Sequence, residues 1–284
     1  PPNSQGITML MALQILEGYD FSSYTPNAPE AIHLQAEAIK IAHGAKHRHV
    51  GDPEWVDVPL EALLSERFAD EAREMISVNR VLTWPFPEII AELERSNTTT
   101  YSIVDSEGNG AAVTTSLGAQ FLVAGPSGIH INNRMRMFYY AEGYPNSVEP
   151  GKKVRHTSNP YLVLEDGNLY ILGGNTGVDT QPQGQVQQFI SVVEFGLSAQ
   201  EAVSRPRFIT RAFPAGQWPF QANNDLAMEP GTPDWLRSAM AEMGHVVISG
   251  GIWGDAQRIV TDPDTDEIET GTDPRGGVGK GMVE

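Results

Sequence analysis

No cysteine occurs in the 284 residues, which excludes disulfides, thiolate nucleophiles and Cys-ligated zinc and leaves the redox compartment open. Positive charge is scarce. Against 36 Asp and Glu stand 19 Lys and Arg, a formal net charge of −17, which repels phosphate backbones and anionic membrane surfaces. Neither nucleic acid nor a membrane is an expected partner. Also missing is any run of about 18 apolar residues, the length that spans a bilayer. The opening PPNSQG has neither a basic region nor an apolar signal core, so the chain is expected to begin in mid-protein or as a processed product, in the cytoplasm or exported. What is present is 40% hydrophobic content against 19% charge, enough to bury one large core or two smaller ones.

Apolar spacing organises the chain. Ile7, Leu10, Met11, Leu13, Ile15 and Leu16 recur at near-helical intervals between Ser4 and Glu17, and Gly18 ends the pattern, so this stretch is expected to be a buried helix. A second helical pattern covers Ala31 to Ala42 and a third Ser65 to Met75, separated by the proline-punctuated loop HVGDPEWVDVP. The first ninety-odd residues are thus mostly helical. After Thr98 the period becomes that of strands: TTYSIVDSEGNGAAVTTSL reads as a hairpin around DSEGNG, and NPYLVLEDGNLYILGG as another. Val186, Phe189, Ile190 and Val193 stand at i, i+3, i+4 and i+7, a helix ended by Gly196. A further helix spans Pro233 to Met243, followed by the strand signals HVVISG and AQRIVTDPDTDEIETGTD. Sheets between helical layers are the expected outcome.

The run Asn97-Thr98-Thr99-Thr100 raises a chemical question. A hydroxyl is a poor nucleophile until a neighbouring base takes its proton. None of the seven histidines lies in a G-x-S-x-G elbow or similar setting. If the peptide bond between Asn97 and Thr98 were cut, Thr98 would carry a free α-amine with an ordinary pKa of about 7.7–8.0, a base for its own side chain. One residue would then supply nucleophile and base. The other reading of the same residues is that threonines favour strands and pair across them.

The segment TTTYSIVDSEGNGAAVTTSL resembles the start of the small subunit of γ-glutamyltranspeptidases. These N-terminal-nucleophile enzymes mature by self-cleavage ahead of a threonine. PPNSQGITMLMALQILEGYD, AEAIKIAHGAKHRHVGDPEWVDVP, AGPSGIHINNRM, GNLYILGGNTGVDTQPQ, VVEFGLSAQEAVSRPRF and DPRGG follow that family's order and spacing across nearly the whole chain. The resemblance implies an α+β fold, a four-layer α-β-β-α sandwich. It implies that residues 1–97 are the C-terminal part of a large subunit, and that residues 98–284 are the small catalytic subunit. It also implies no cofactor, a small-molecule acyl-amide substrate, and a partner in the chain's own missing large-subunit segment; a homo-oligomer is possible. The family's γ-glutamyl chemistry connects it with glutathione metabolism.

Carried over residue by residue, the resemblance makes Thr98 the nucleophile, with self-cleavage after Asn97 through an N-to-O acyl shift of the same hydroxyl. The threonine that holds the nucleophile by a hydrogen bond becomes Ser116. The two backbone amides of the oxyanion hole fall on Gly177 and Val178, where the family has Gly-Gly, and valine does not reach positive φ as cheaply as glycine. The substrate-binding positions depart further. Where glutamyl-cleaving members hold an α-amino group with an asparagine and an acidic residue, this chain has Gly118 and Met137. The glutamine after NN becomes Arg134, with Arg136 nearby, and the carboxylate-binding Ser-Ser pair becomes His156-Thr157. An ammonium without an acceptor is costly to desolvate. The expected substrate is therefore not a simple γ-glutamyl compound but an amide whose acyl chain lacks the amine and carries a carboxylate towards Arg134 or His156. Acidic groups elsewhere, the absent segment included, are the open alternative. Other readings are C–C or other acyl hydrolysis in a biosynthetic pathway, transfer in place of hydrolysis, and an unprocessed, non-catalytic binding homologue.

Three signals are read blandly. His43, His47 and His49 in HGAKHRH have a metal-ligand spacing but are expected to form a solvated helix end. Asp262, Asp264 and Asp266 resemble a calcium loop without its glycine and are expected at a charged turn. Trp84-Pro85-Phe86-Pro87 is expected to be a linker over the site before maturation. No metal is expected.

Overall fold

A computed structural model describes residues 3–84, 98–116, 122–262, 265, 267–275 and 279–283. In chain order the first elements are helices α1 (Gly6–Leu16), α2 (Pro29–His49), α3 (Leu60–Leu63) and α4 (Glu66–Met75). Pro29 at the first turn of α2, Glu30 beside it and Lys46 to His49 in its last turn suit the helix dipole. Ser65 caps α4 by accepting from Phe68 N at 3.1 Å. Strands β1 (Thr99–Val104) and β2 (Gly110–Thr115) form the expected hairpin, and Asp105 Oδ1 closes its turn by accepting from Glu107 N and Asn109 N, both at 2.9 Å. Next come β3 (Leu122–Val123), β4 (His130–Ile131), β5 (Tyr161–Glu165), β6 (Asn168–Asn175), α5 (Gln181–Val193) and α6 (Ala199–Ser204). The chain continues through β7 (Phe208–Thr210), β8 (Asp225–Met228), α7 (Asp234–Glu242), β9 (Val246–Ser249), β10 (Ala256–Thr261) and β11 (Ile268–Thr272). The fold is α+β.

Two compact units emerge. One comprises residues 3–84, 137–156 and 206–252. Here α2 packs against α1, α7 and β7, and β7 pairs antiparallel and β9 parallel to β8. Two buried charged groups in this unit have carboxylate partners. Arg207 Nη2 donates to Glu229 Oε1 at 2.9 Å, and Lys40 Nζ meets Glu37 Oε1 at 2.6 Å. His33 Nε2 lies 2.9 Å from Ser77 O, which only accepts, so in the neutral ring His33 Nδ1 accepts from His245 Nε2–H, also at 2.9 Å.

This pairing has an acid-stability consequence. Burial, with Lys40 and His33 adding, holds the His245 pKa down to about 3, against about 6.5 in an unfolded chain. Between those values the unfolded chain binds a proton that the folded one refuses, so stability is full above pH 6.5 and is lost as pH falls. The loss is up to about 1.4 kcal/mol per pH unit. In His245→Gln, whose amide can still donate to His33 Nδ1, denaturant unfolding is expected to show a shallower decline between pH 6.5 and 4 than the wild type. Equal slopes would remove His245 as the cause.

The second unit comprises residues 98–116, 122–136, 157–205 and the described residues from 253 onward. Its four-stranded antiparallel sheet has the order β11-β10-β6-β5. On one face Ile171 packs with Val192 of α5 and Ala202 of α6. On the other lies the β1–β2 hairpin, where a Cβ at Gly110 would come within 3.1 Å of Leu172 Cδ2 and a Cβ at Gly174 would overlap Thr100 Oγ1. The unit is thus three layers: helices, sheet, hairpin. Gly174 is glycine because β6 and β1 approach too closely for a side chain.

Sequence periodicity missed α6, β7 and β8. Phe208–Thr210 and Asp225–Met228 are buried at every position, so neither shows alternation. The helix α6 is short and rests on a capping box between Ser198 and Glu201. Among the described residues no helix is long and apolar enough to cross a membrane.

Candidate active site

Strand register sets the positions of the predicted residues. Thr99 pairs with Thr115 and Thr100 with Thr114, so Thr98 and Ser116 are the next residues beyond the paired strands at the open end of the hairpin. The hairpin also has a direction over β6. Its Gly110 end lies over Leu169 and Leu172 and Thr100 over Gly174, so Thr98 points towards the C-terminal end of β6. There the chain makes the turn carrying Gly177 and Val178. The hydroxyl of Thr98 is shielded from solvent and meets no hydrogen-bond partner among the described residues. The expected Ser116–Thr98 hydrogen bond is thus not formed in this state. Asn97 and Gly118 lie outside the described residues, as does the linker beyond Trp84.

At the turn, Gly177 has φ +94, and its carbonyl accepts from Thr180 Oγ1 at 2.9 Å and Gln181 N at 3.0 Å. Positive φ is confined here to the glycine; Val178 opens the following 3₁₀ turn and is buried. The valine therefore carries no left-handed strain. The turn is braced from the chain ahead of β10. Thr176 N donates to Asp255 O at 2.8 Å and Asp255 N to Thr176 Oγ1 at 2.6 Å. Sequence reasoning missed this brace, because the partners are 79 residues apart.

Arg134 is buried, and its guanidinium donates to Thr157 Oγ1 at 3.2 Å and Ser116 O at 3.4 Å. Ser116, Arg134 and Thr157, all singled out in the sequence, thus come together around one cation. Met137 and His156 belong to the other unit. There Met137 O accepts from Asn146 Nδ2 at 2.6 Å, and His156 N donates to Asn3 O at 2.5 Å. The His156 side chain lines a small cavity with Lys46, Tyr139 and Arg155.

The histidines of HGAKHRH do not converge. His43 stacks on Phe213, His47 packs on Tyr139 and Phe220, and His49 is exposed. A different trio, His33, Glu37 and His245, holds its ligand atoms within 4.8 Å of one another and could grip a metal by geometry. Lys40 already occupies the carboxylate, and a dication beside it would bring together two unscreened positive charges. Asp262 Oδ1 accepts from Thr265 N at 3.3 Å in its turn, and Asp264 and Asp266 lie outside the described residues.

A family model described as gamma-glutamyltranspeptidase matches residues 1–282. The chain belongs to this family. Within the gamma-glutamyltranspeptidase family it is 32% identical over 293 residues to the glutathione hydrolase proenzyme of Escherichia coli K12, covering 97% of this chain and 48% of that protein. Its fold is similar to the crystal structure of cephalosporin acylase from Bacillus halodurans. The TM-score is 0.82 and the identity 29%, over 97% of this chain and 48% of that one. A gamma-glutamyltranspeptidase from Pseudomonas nitroreducens matches 66% of this chain and 99% of its own, with TM-score 0.56 and 27% identity. The chain thus spans about half the length of the first two relatives.

Proposed function

We propose that this chain is the catalytic portion of a self-processing amidohydrolase or acyltransferase, with Thr98 as its N-terminal nucleophile in a four-layer α-β-β-α fold. The observation that supports the reading is the hairpin register, which leaves Thr98 and Ser116 at the hairpin's open end on the side of the β6 end that leads to Gly177, with the Thr98 hydroxyl lacking a hydrogen-bond partner among the described residues. Maturation begins when Thr98 Oγ attacks the carbonyl carbon of Asn97. The amide nitrogen of Thr98 departs as an amine, and water hydrolyses the resulting ester, leaving residues 1–97 and 98–284 as separate chains. In support, the Pseudomonas nitroreducens enzyme is matched over 99% of its length by 66% of this chain, and residues 98–284 are about two-thirds of the sequence.

In the mature protein the freed α-amine takes the proton of Oγ as it attacks the substrate carbonyl. The backbone N–H groups of Gly177 and Val178 stabilise the oxyanion. The leaving amine departs with the proton, and water or a second amine releases the acyl group from the Thr98 ester. Ser116 orients the hydroxyl, and the missing large-subunit segment completes the site.

Substrate choice follows from charge. The Arg134 cation, between Ser116 O and Thr157 Oγ1, favours a carboxylate and disfavours an ammonium nearby. By the family resemblance, the sequence positions that hold an amine in glutamyl-cleaving members carry Gly118 and Met137, which offer no side-chain acceptor, so an acyl group lacking an amine is preferred. On the processed full-length protein, kcat/KM for a glutaryl anilide is expected to exceed that of its γ-glutamyl counterpart by about 10-fold or more, since leaving an ammonium unpaired costs about 1–3 kcal/mol. The reverse ranking refutes the substrate assignment and leaves Thr98 untouched.

A further inference from the structure

Arginine is never neutral at ordinary pH, so a buried arginine needs a counter-charge. Arg275 meets Asp273 at 2.7 Å, and Arg207 and Lys40 have their own carboxylates. Arg258 does not. It stands in the middle of β10, opposite Gly173 on one neighbouring strand and Gly271 on the other. A Cβ at Gly173 would overlap the Tyr161 ring and one at Gly271 the Ala199 carbonyl, so the sheet is closely covered on both sides of the Arg258 side chain, which is 1% exposed. Its guanidinium lies 5.3 Å from the centre of the Tyr161 ring, and Nη2 donates to Gln188 Oε1 on α5 at 3.0 Å. No carboxylate pairs with it among the described residues.

The donors around it lack acceptors. Arg258 Nε and Nη1, Tyr161 Oη and Gln188 Nε2 are all sealed from solvent without a hydrogen-bond partner among the described residues. Burial raises the Tyr161 pKa, so the phenol keeps its proton and offers it as one more donor. A neutral amide oxygen and an aromatic face only partly compensate a desolvated guanidinium. Water would add acceptors but no charge. A monatomic anion is the smallest ligand that supplies both. Groups left unsatisfied in this way commonly mark an ion or an ordered water.

We propose that Arg258, Tyr161 and Gln188 form a buried halide-binding site between the four-stranded sheet and α5. Chloride there ties β10 to the helix that follows the Gly177 turn. Crystals of the full protein grown in sodium bromide, with data collected at the bromine edge, test the site directly. An anomalous peak within hydrogen-bonding distance of Arg258 Nε or Nη1 is expected; water density without anomalous signal overturns the proposal. In solution, raising chloride from 1 to 200 mM against gluconate at constant ionic strength is expected to raise Tm by about 5 °C, as for a ligand present well above its Kd. Arg258→Met is expected to lose that increment. Identical wild-type Tm values in the two salts overturn the proposal, and should the variant not fold, the bromide peak still decides.

Discussion

Thr98→Ala is expected to leave the full-length precursor as a single polypeptide on a denaturing gel and to lower turnover by about 10³-fold or more. The wild type should instead release a fragment beginning at Thr98, about two-thirds of this chain. The substitution removes the group that starts self-cleavage and the group that attacks the substrate, so both readouts fall together. Its effect on folding is expected to be small. Thr98 Oγ1 has no hydrogen-bond partner among the described residues, so its loss orphans nothing, and thermal stability should stay within about 1 kcal/mol of wild type. Thr98→Ser, which keeps hydroxyl and amine, is expected to mature and turn over more slowly. An uncleaved Thr98→Ala protein with full turnover would remove the mechanism.

Gly254→Ala is expected to damage both stability and catalysis. Gly254 has φ +67, and a Cβ there would overlap the Thr176 carbonyl and come 2.7 Å from Thr176 Oγ1. Left-handed strain and a clash with backbone add to about 2–4 kcal/mol. The clash falls on the residue before Gly177, and Thr176 and Asp255 bond each other twice, so the shift is passed to the proposed oxyanion turn. Loss of a single oxyanion donor lowers kcat by about 10²–10³. Gly128→Ala is the control. Gly128 has φ +70 with nothing within 4 Å of an added Cβ, so only the strain remains and kcat should not move. Equal kcat for Gly254→Ala and wild type would separate the brace from catalysis.

How legible these features are depends on the range of the interactions behind them. The hairpin β1–β2 is readable because Asp105 and Asn109 close their own turn, and α5 is readable because its apolar residues keep helical spacing. The buried strands β7 and β8 carry no period, and α6 is a capped helix of only six residues, so propensity has little to count. Of the candidate site, the sequence names Ser116, Arg134 and Thr157 one by one but not their grouping. The tie of Arg134 to Ser116 spans 18 residues and that to Thr157 spans 23, distances at which only the folded chain decides proximity. The glycine pair Gly173-Gly174 in a strand signals close approach, but only the sheet shows that one glycine makes room for Tyr161 and the other for Thr100.

The most direct measurement is N-terminal sequencing of mature, active protein expressed as the full precursor. A new terminus reading Thr-Thr-Thr-Tyr-Ser from Thr98 is the expected result. An active protein whose chain is uncut, or cut so that Thr98 is not the first residue, contradicts the account.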